Sequence, residues 1–157
     1  MKNLLHFSFF LFSFLLFSTS LSSQDFTISN YNIEIGINTD GSLNVEETID
    51  VNFSKKKRGI YRSIPYNYKK DGKSINLGVT DINVGGHKHK ISRKNGNLEI
   101  KIGDKNIYLE GDQTYRISYK IENGIQDYAE HQELYFDLIG NEWRAEIAQL
   151  NYKINLP

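Results

Sequence analysis

The sequence predicts an all-β fold, an immunoglobulin-like antiparallel β-sandwich of about eight or nine strands. Three observations predict it. Apolar residues recur at every second position through most of the chain. Turn-forming Gly, Asn and Asp residues interrupt that pattern at short intervals. No stretch after residue 25 carries the three-to-four-residue spacing of an amphipathic helix.

The elements follow in order. Tyr31, Ile33, Ile35 and Ile37 alternate with Asn32, Glu34, Gly36 and Asn38, which places one row on a core and the other in water. Thr39-Asp40-Gly41-Ser42 turns the chain. Leu43, Val45, Glu47, Ile49, Val51 and Phe53 alternate again, so the two runs read as a β-hairpin. Glu47 interrupts the apolar row, and a disturbed register is expected there. A basic loop, residues 55–58, leads into an extended piece that Pro65 ends or places at a sheet edge. Residues 66–74 are polar and loop-like, 75–84 a strand, Gly85-Gly86 a turn, and 87–92 the returning strand.

Asn95-Gly96 is a second tight-turn signal before the strand of Leu98, Ile100 and Ile102. Residues 103–106 turn and 107–109 form a short strand. Tyr115, Ile117, Tyr119 and Ile121 mark the clearest strand of all. Residues 123–132 are polar with room for a helical turn, and 134–139 read as a buried strand. Trp143, Ala145 and Ile147 share one face, then Ala148, Leu150, Tyr152, Ile154 and Leu156 the next, the phase slip of a β-bulge.

The first 24 residues read differently. Lys2 is followed by an apolar run of about 14 residues, short of the roughly 20 that span a bilayer. Ser20 and Ser22 supply small residues for cleavage near 20–24, so residues 1–24 are expected to be a signal peptide and 25–157 one exported domain. The chain has no cysteine, which excludes disulfides and a lipid anchor on that residue. Its 19 basic and 19 acidic residues balance, which argues against nucleic acid as a partner.

Candidate chemistry is sparse. His87 and His89 share a strand face, and His131 lies in an acidic stretch, but Lys88, Lys90, Arg93 and Lys94 would repel a cation, so no metal is expected. Asp127, Glu130 and Glu133 are the acids that a cell-wall hydrolase would use. No serine lies in a nucleophile elbow and no glycine loop suits phosphate, so no enzyme activity and no cofactor are expected. Basic clusters at 55–58, 69–70 and 87–94 would suit an anionic partner if the fold joined them. Within 58–65, Arg58, Tyr61 and Arg62 are the candidate ligand-binding residues, and Arg62 alternatively pairs with an interior acid.

That same segment, Arg58-Gly59-Ile60-Tyr61-Arg62-Ser63-Ile64-Pro65, resembles the Gly-Ile-Tyr-Arg-x-Ile-Pro signature of the bacterial membrane protein family called domain of unknown function 2207. Ile102-Gly103-Asp104, Gly111-Asp112-Gln113-Thr114-Tyr115 with Tyr119, and the run from Glu133 through Gly140 to Trp143 are similar to further family segments, in the right order. Phe136 and Asp137 stand where the family has Trp and Asn. The resemblance implies an extracytoplasmic β-sandwich tethered by later membrane helices, with no established reaction. It also implies that this chain, stopping at Leu156-Pro157, is either a truncated membrane protein or a free exported form. The expected function is a monomeric, non-catalytic binding or structural module outside the cytoplasm, with an envelope protein or anionic envelope component as partner.

Overall fold

The computed structural model describes residues 24–70 and 72–157. The expected signal peptide lies outside the described residues, apart from Gln24. Among those residues are twelve strands: β1 (Phe26–Ile37), β2 (Leu43–Lys57), β3 (Ile60–Pro65), β4 (Asn67–Lys70), β5 (Lys73–Asn76), β6 (Gly78–Val84), β7 (His89–Lys94), β8 (Asn97–Ile102), β9 (Leu109–Glu122), β10 (Ile125–Asp127), β11 (Gln132–Leu134) and β12 (Leu150–Asn155). The excess over eight or nine comes from the short hairpins β4-β5 and β10-β11, whose runs are too brief to show alternation.

The architecture is all-β and sandwich-like. A five-stranded sheet runs β12-β1-β2-β9-β6 and a three-stranded sheet runs β3-β8-β7. The alternating rows explain the layering. Tyr31, Ile33, Ile35, Val45, Ile49, Tyr115, Ile117 and Ile121 from the large sheet pack into one core with Ile60, Ile64, Leu98, Ile100 and Ile102 from the small one. Each such side chain removed from water contributes roughly 1.5–3 kcal/mol before entropy is counted.

Turn chemistry agrees with the hairpins. Gly41 takes φ 77°, and Asp40 Oδ1 accepts bonds from the Ser42 amide at 2.9 Å and hydroxyl at 2.5 Å. Asn95 and Gly96 both have positive φ, 52° and 76°, as a tight turn between β7 and β8 of the I′ type requires.

Several local expectations are corrected. Residues 87–92 do not return alongside 75–84: β6 pairs with β9 and β7 crosses to β8 in the other sheet. The 75–84 run breaks at Leu77 into β5 and β6. Residues 107–109 are not a separate strand, since Leu109 begins the long β9. The polar stretch 123–132 holds the β10-β11 turn rather than a helical one, and of 134–139 only Leu134 is in a strand. Glu47 leaves the register intact, standing opposite Ile33 and Ile117.

Irregularities lie elsewhere: in β2 between Phe53 and Lys57, in β6 between Thr80 and Asn83, and in β1 between Ile28 and Asn30. Ile28 and Tyr31 both face inward across the last of these. Ile147 sits opposite Ile28 and Leu150 opposite Tyr31, so the phase slip read near residue 148 mirrors the bulge of the neighbouring strand. β12 therefore follows β1 in parallel through six residue pairs, from Tyr31–Leu150 to Gly36–Asn155.

Candidate functional site

Two charged regions stand out, one inside the sandwich and one on its surface. Inside, Glu47 of β2 and Arg62 of β3 occupy positions that alternation reserves for apolar residues, and both side chains are fully buried. Arg62 donates from Nε to Glu47 Oε2 at 2.8 Å and from Nη2 to Glu47 Oε1 at 2.7 Å, a bidentate pairing. Tyr31 donates its hydroxyl to Oε2 at 2.7 Å and Tyr119 to Oε1 at 2.5 Å. The other Arg62 donors reach carbonyls: Leu138 at 3.0 Å, Ile139 at 2.9 Å, and Ser63. All five guanidinium N–H groups and four acceptor directions of the carboxylate are thereby engaged.

Burial works against the Arg62 charge, yet the adjacent Glu47 carboxylate outweighs it and holds the guanidinium protonated. The Tyr31 and Tyr119 hydroxyls are pushed well up, first by burial and then by the Glu47 charge. Such a cluster can fasten the two sheets and the 138–140 loop together. It offers no donor to a visitor.

The loop is fastened from other directions too. Asp137 Oδ1 accepts from the Gly140 amide at 2.9 Å, and Trp143 Nε1 donates to the Ile139 carbonyl at 3.0 Å. The Trp143 ring meets Tyr31 edge-to-face with centroids 5.9 Å apart. Gly140 has φ 68°, and a Cβ there would lie 2.9 Å from the Ser63 carbonyl oxygen.

On the surface, a groove of about 790 Å³ runs over the outer face of the small sheet. Alternation supplies its floor. Tyr61 and Ser63 of β3, Asn97 and Glu99 of β8, and Ser92 and Lys94 of β7 point away from the core, because Ile60, Ile64, Leu98 and Ile100 point into it. The fastened loop contributes Glu142, Trp143 and Arg144 as one wall, with Phe26 and Lys57 beside it. Tyr61 is 52% exposed, and Lys101 Nζ lies 5.4 Å from its ring centroid. Lys90 stands directly opposite Lys101, two like charges on one face. Lys57 is paired with Asp25, and Arg93 donates to the Val79 carbonyl at 2.8 Å. Lys94 and Arg144 have no ionic partner among the described residues. The outer face of the large sheet has the opposite character, with Glu34, Glu46, Asp50, Asp112 and Glu122 outnumbering Arg116, Lys120 and Lys153.

The sequence candidates are thus dispersed. Arg58, Tyr61 and Arg62 do not share a site. Arg58 is exposed with its guanidinium 4.5 Å over the Tyr108 ring, Tyr61 lies in the groove, and Arg62 is in the core. The basic segments 55–58 and 87–94 both reach the groove, through Lys57 and Lys94, whereas Lys70 ion-pairs with Glu133 elsewhere. Asp127 accepts from Gln132 at 2.7 Å, and Glu130 is exposed, so the acids of 127–133 have separate surroundings. His87 packs on Tyr115 at 4.8 Å and His131 stacks on Tyr128 at 5.0 Å. Among the described residues no three His, Cys, Asp or Glu side chains converge on a metal position, and no helix is long and apolar enough to cross a membrane.

Sequence reasoning missed Glu47 as the partner of Arg62, and it missed Lys94, Trp143 and Arg144 as neighbours of Tyr61. A signal for the first was present: a lone acid and a lone base, each in an otherwise apolar row.

Known proteins resemble the chain at two levels. Among solved structures, leukotriene A4 hydrolase from Saccharomyces cerevisiae is 14% identical with TM-score 0.42, over 63% of this chain and 15% of that one. A zinc metallopeptidase of the M1 type from Deinococcus radiodurans is 12% identical with TM-score 0.38, over 62% and 20%. An uncharacterised protein of Escherichia coli K12, YciQ, is 28% identical over 136 residues, which is 81% of this chain and 21% of YciQ. The chain thus spans about a fifth of that relative's length. Residues 27–157 match the N-terminal domain of the predicted membrane proteins termed DUF2207, and the chain belongs to that family.

Proposed function

We propose that this domain is a non-catalytic, monomeric recognition module that a membrane protein presents outside the cytoplasm, and that the groove over the small sheet receives its envelope partner. The groove carries the reading. It is concave, lined by aromatic and charged side chains, and it holds cations with no partner among the described residues. Membership of a membrane protein family and the leader-like first 24 residues support the compartment. The internal charges are consumed by one another, and the acids of 127–133 are separately partnered, which supports binding over catalysis.

Protease shaving of intact spheroplasts tests the compartment. The domain is expected to be digested from outside while a cytosolic marker survives. Recovery of the whole chain in the protected fraction would sink the proposal.

A further inference from the structure

Resting on that reading, we propose that the groove binds an anionic glycan, a chain of hydroxylated rings bearing spaced carboxylate or phosphate groups. Charge complementarity comes first. Lys94 on the floor and Arg144 on the wall both line the groove, and Lys90 and Lys101 raise the positive potential of the same face. An anion on that face relieves the repulsion between Lys90 and Lys101, which stand directly opposite each other.

The acids in the lining refine the assignment. Glu99 and Glu142 would repel a small bare anion or a continuous polyphosphate. They suit a chain in which hydroxyl donors alternate with negative groups, because an ionised carboxylate only accepts hydrogen bonds. Asn97, Ser63 and Ser92 add neutral donors and acceptors along the floor. Tyr61 and Trp143 offer apolar ring surface with little conformational entropy to lose, as the C–H faces of sugar rings require. The shape favours a chain over a lipid surface, since a bilayer is flat and would leave the concave floor uncovered. At about 790 Å³ the groove is larger than a single phosphate needs.

Two features indicate a wall held ready for its ligand. Arg62 is a positioning residue, gripping the Leu138 and Ile139 carbonyls from beneath. Gly140 lets the loop approach Ser63 closely. Both act before ligand arrives, which cuts the ordering cost of binding.

The test is calorimetric titration of the full chain with polygalacturonate, with neutral dextran and with vesicles of equimolar phosphatidylglycerol and phosphatidylcholine. Polygalacturonate is expected to bind, more weakly as salt screens the charges, and dextran is not. The variant Lys94→Ala/Arg144→Ala is expected to lose about tenfold or more in affinity, and Tyr61→Ala a smaller factor of about five, with unchanged denaturation midpoints. No binding of polygalacturonate, equal binding of dextran, variants that bind like the parent, or tighter vesicle binding insensitive to Tyr61→Ala would each overturn the assignment. A domain that is shaved from outside yet ignores polygalacturonate overturns the ligand alone. A cytosolic domain overturns the module reading, whatever it binds in the calorimeter.

Discussion

The buried Glu47–Arg62 cluster and the groove are built from the same residue types and behave oppositely. In the cluster every donor of the arginine meets an acceptor inside the chain. In the groove Arg144 and Lys94 meet none among the described residues. A charge completed internally is part of the fold, whereas a charge left open at the surface is a capacity to bind. Arg62 links the two, since the loop it holds continues into the groove wall.

The sharpest way to break the comparison is to remove one member of the cluster. Arg62→Met leaves the buried Glu47 carboxylate without its cation and removes a donor from three carbonyls, and is expected to cost about 3–5 kcal/mol by urea denaturation. Glu47→Leu should cost a similar amount. The double variant Glu47→Leu/Arg62→Met is expected to lose less than the two singles added, with a coupling of about 2–3 kcal/mol. It should not recover fully, because the Tyr31 and Tyr119 hydroxyls lose their acceptor. If Arg62→Met proved as mild as Lys94→Met, the contrast between the regions would collapse.

A second effect sits where the chain enters β3 beside the end of β8. Gly59 and Gly103 have φ 133° and 136° and touch backbone to backbone; a Cβ on Gly59 would lie 1.8 Å from the Ile102 carbonyl oxygen. Gly59→Ala and Gly103→Ala are each expected to cost at least about 2–3 kcal/mol, read as a lowered denaturation midpoint.

The smallest effects come from tyrosine ionisation. Burial and the Glu47 charge raise the Tyr31 and Tyr119 hydroxyls, and burial takes Tyr115 to about 12. A raised value in the folded state means stability that is complete below the ordinary tyrosine value near 10 and lost as pH rises through it toward the folded value. Denaturation midpoints are therefore expected to hold up to about pH 10 and fall between about 10 and 12. The Tyr115 hydroxyl has no hydrogen-bond partner among the described residues. Tyr115→Phe should change stability by no more than about 0.5 kcal/mol at neutral pH and remove part of the alkaline loss. A large loss at neutral pH would show that this hydroxyl has a partner after all.

What was legible in the sequence was whatever a two-residue period or a turn dipeptide encodes. The β1-β2 hairpin, the Asn95-Gly96 turn and the core rows of β8 and β9 follow from local alternation. Pairing across the chain does not. Nothing near His89 tells β7 to join β8 rather than β6, because both choices satisfy the same pattern. The candidate site was partly legible for the same reason. Tyr61 and Ile60 both read as core anchors in the sequence, but adjacent strand residues face opposite ways, so Tyr61 is exposed while Ile60 is buried. The neighbours of Tyr61, Lys94 and Arg144, come from strands and loops brought together by topology. Arg62 shared a motif with Tyr61 and ended on the other face of the sheet, as adjacent strand residues must.

The parallel register of β1 and β12 has a mechanical consequence. The two strands run the same way side by side, so a pull on the start of β1 and an opposite pull on the end of β12 slides one along the other. Their six-residue ladder would then be sheared, its hydrogen bonds strained together rather than peeled apart in turn. A domain wired in this direction resists tension along its length far better than tension across its edge.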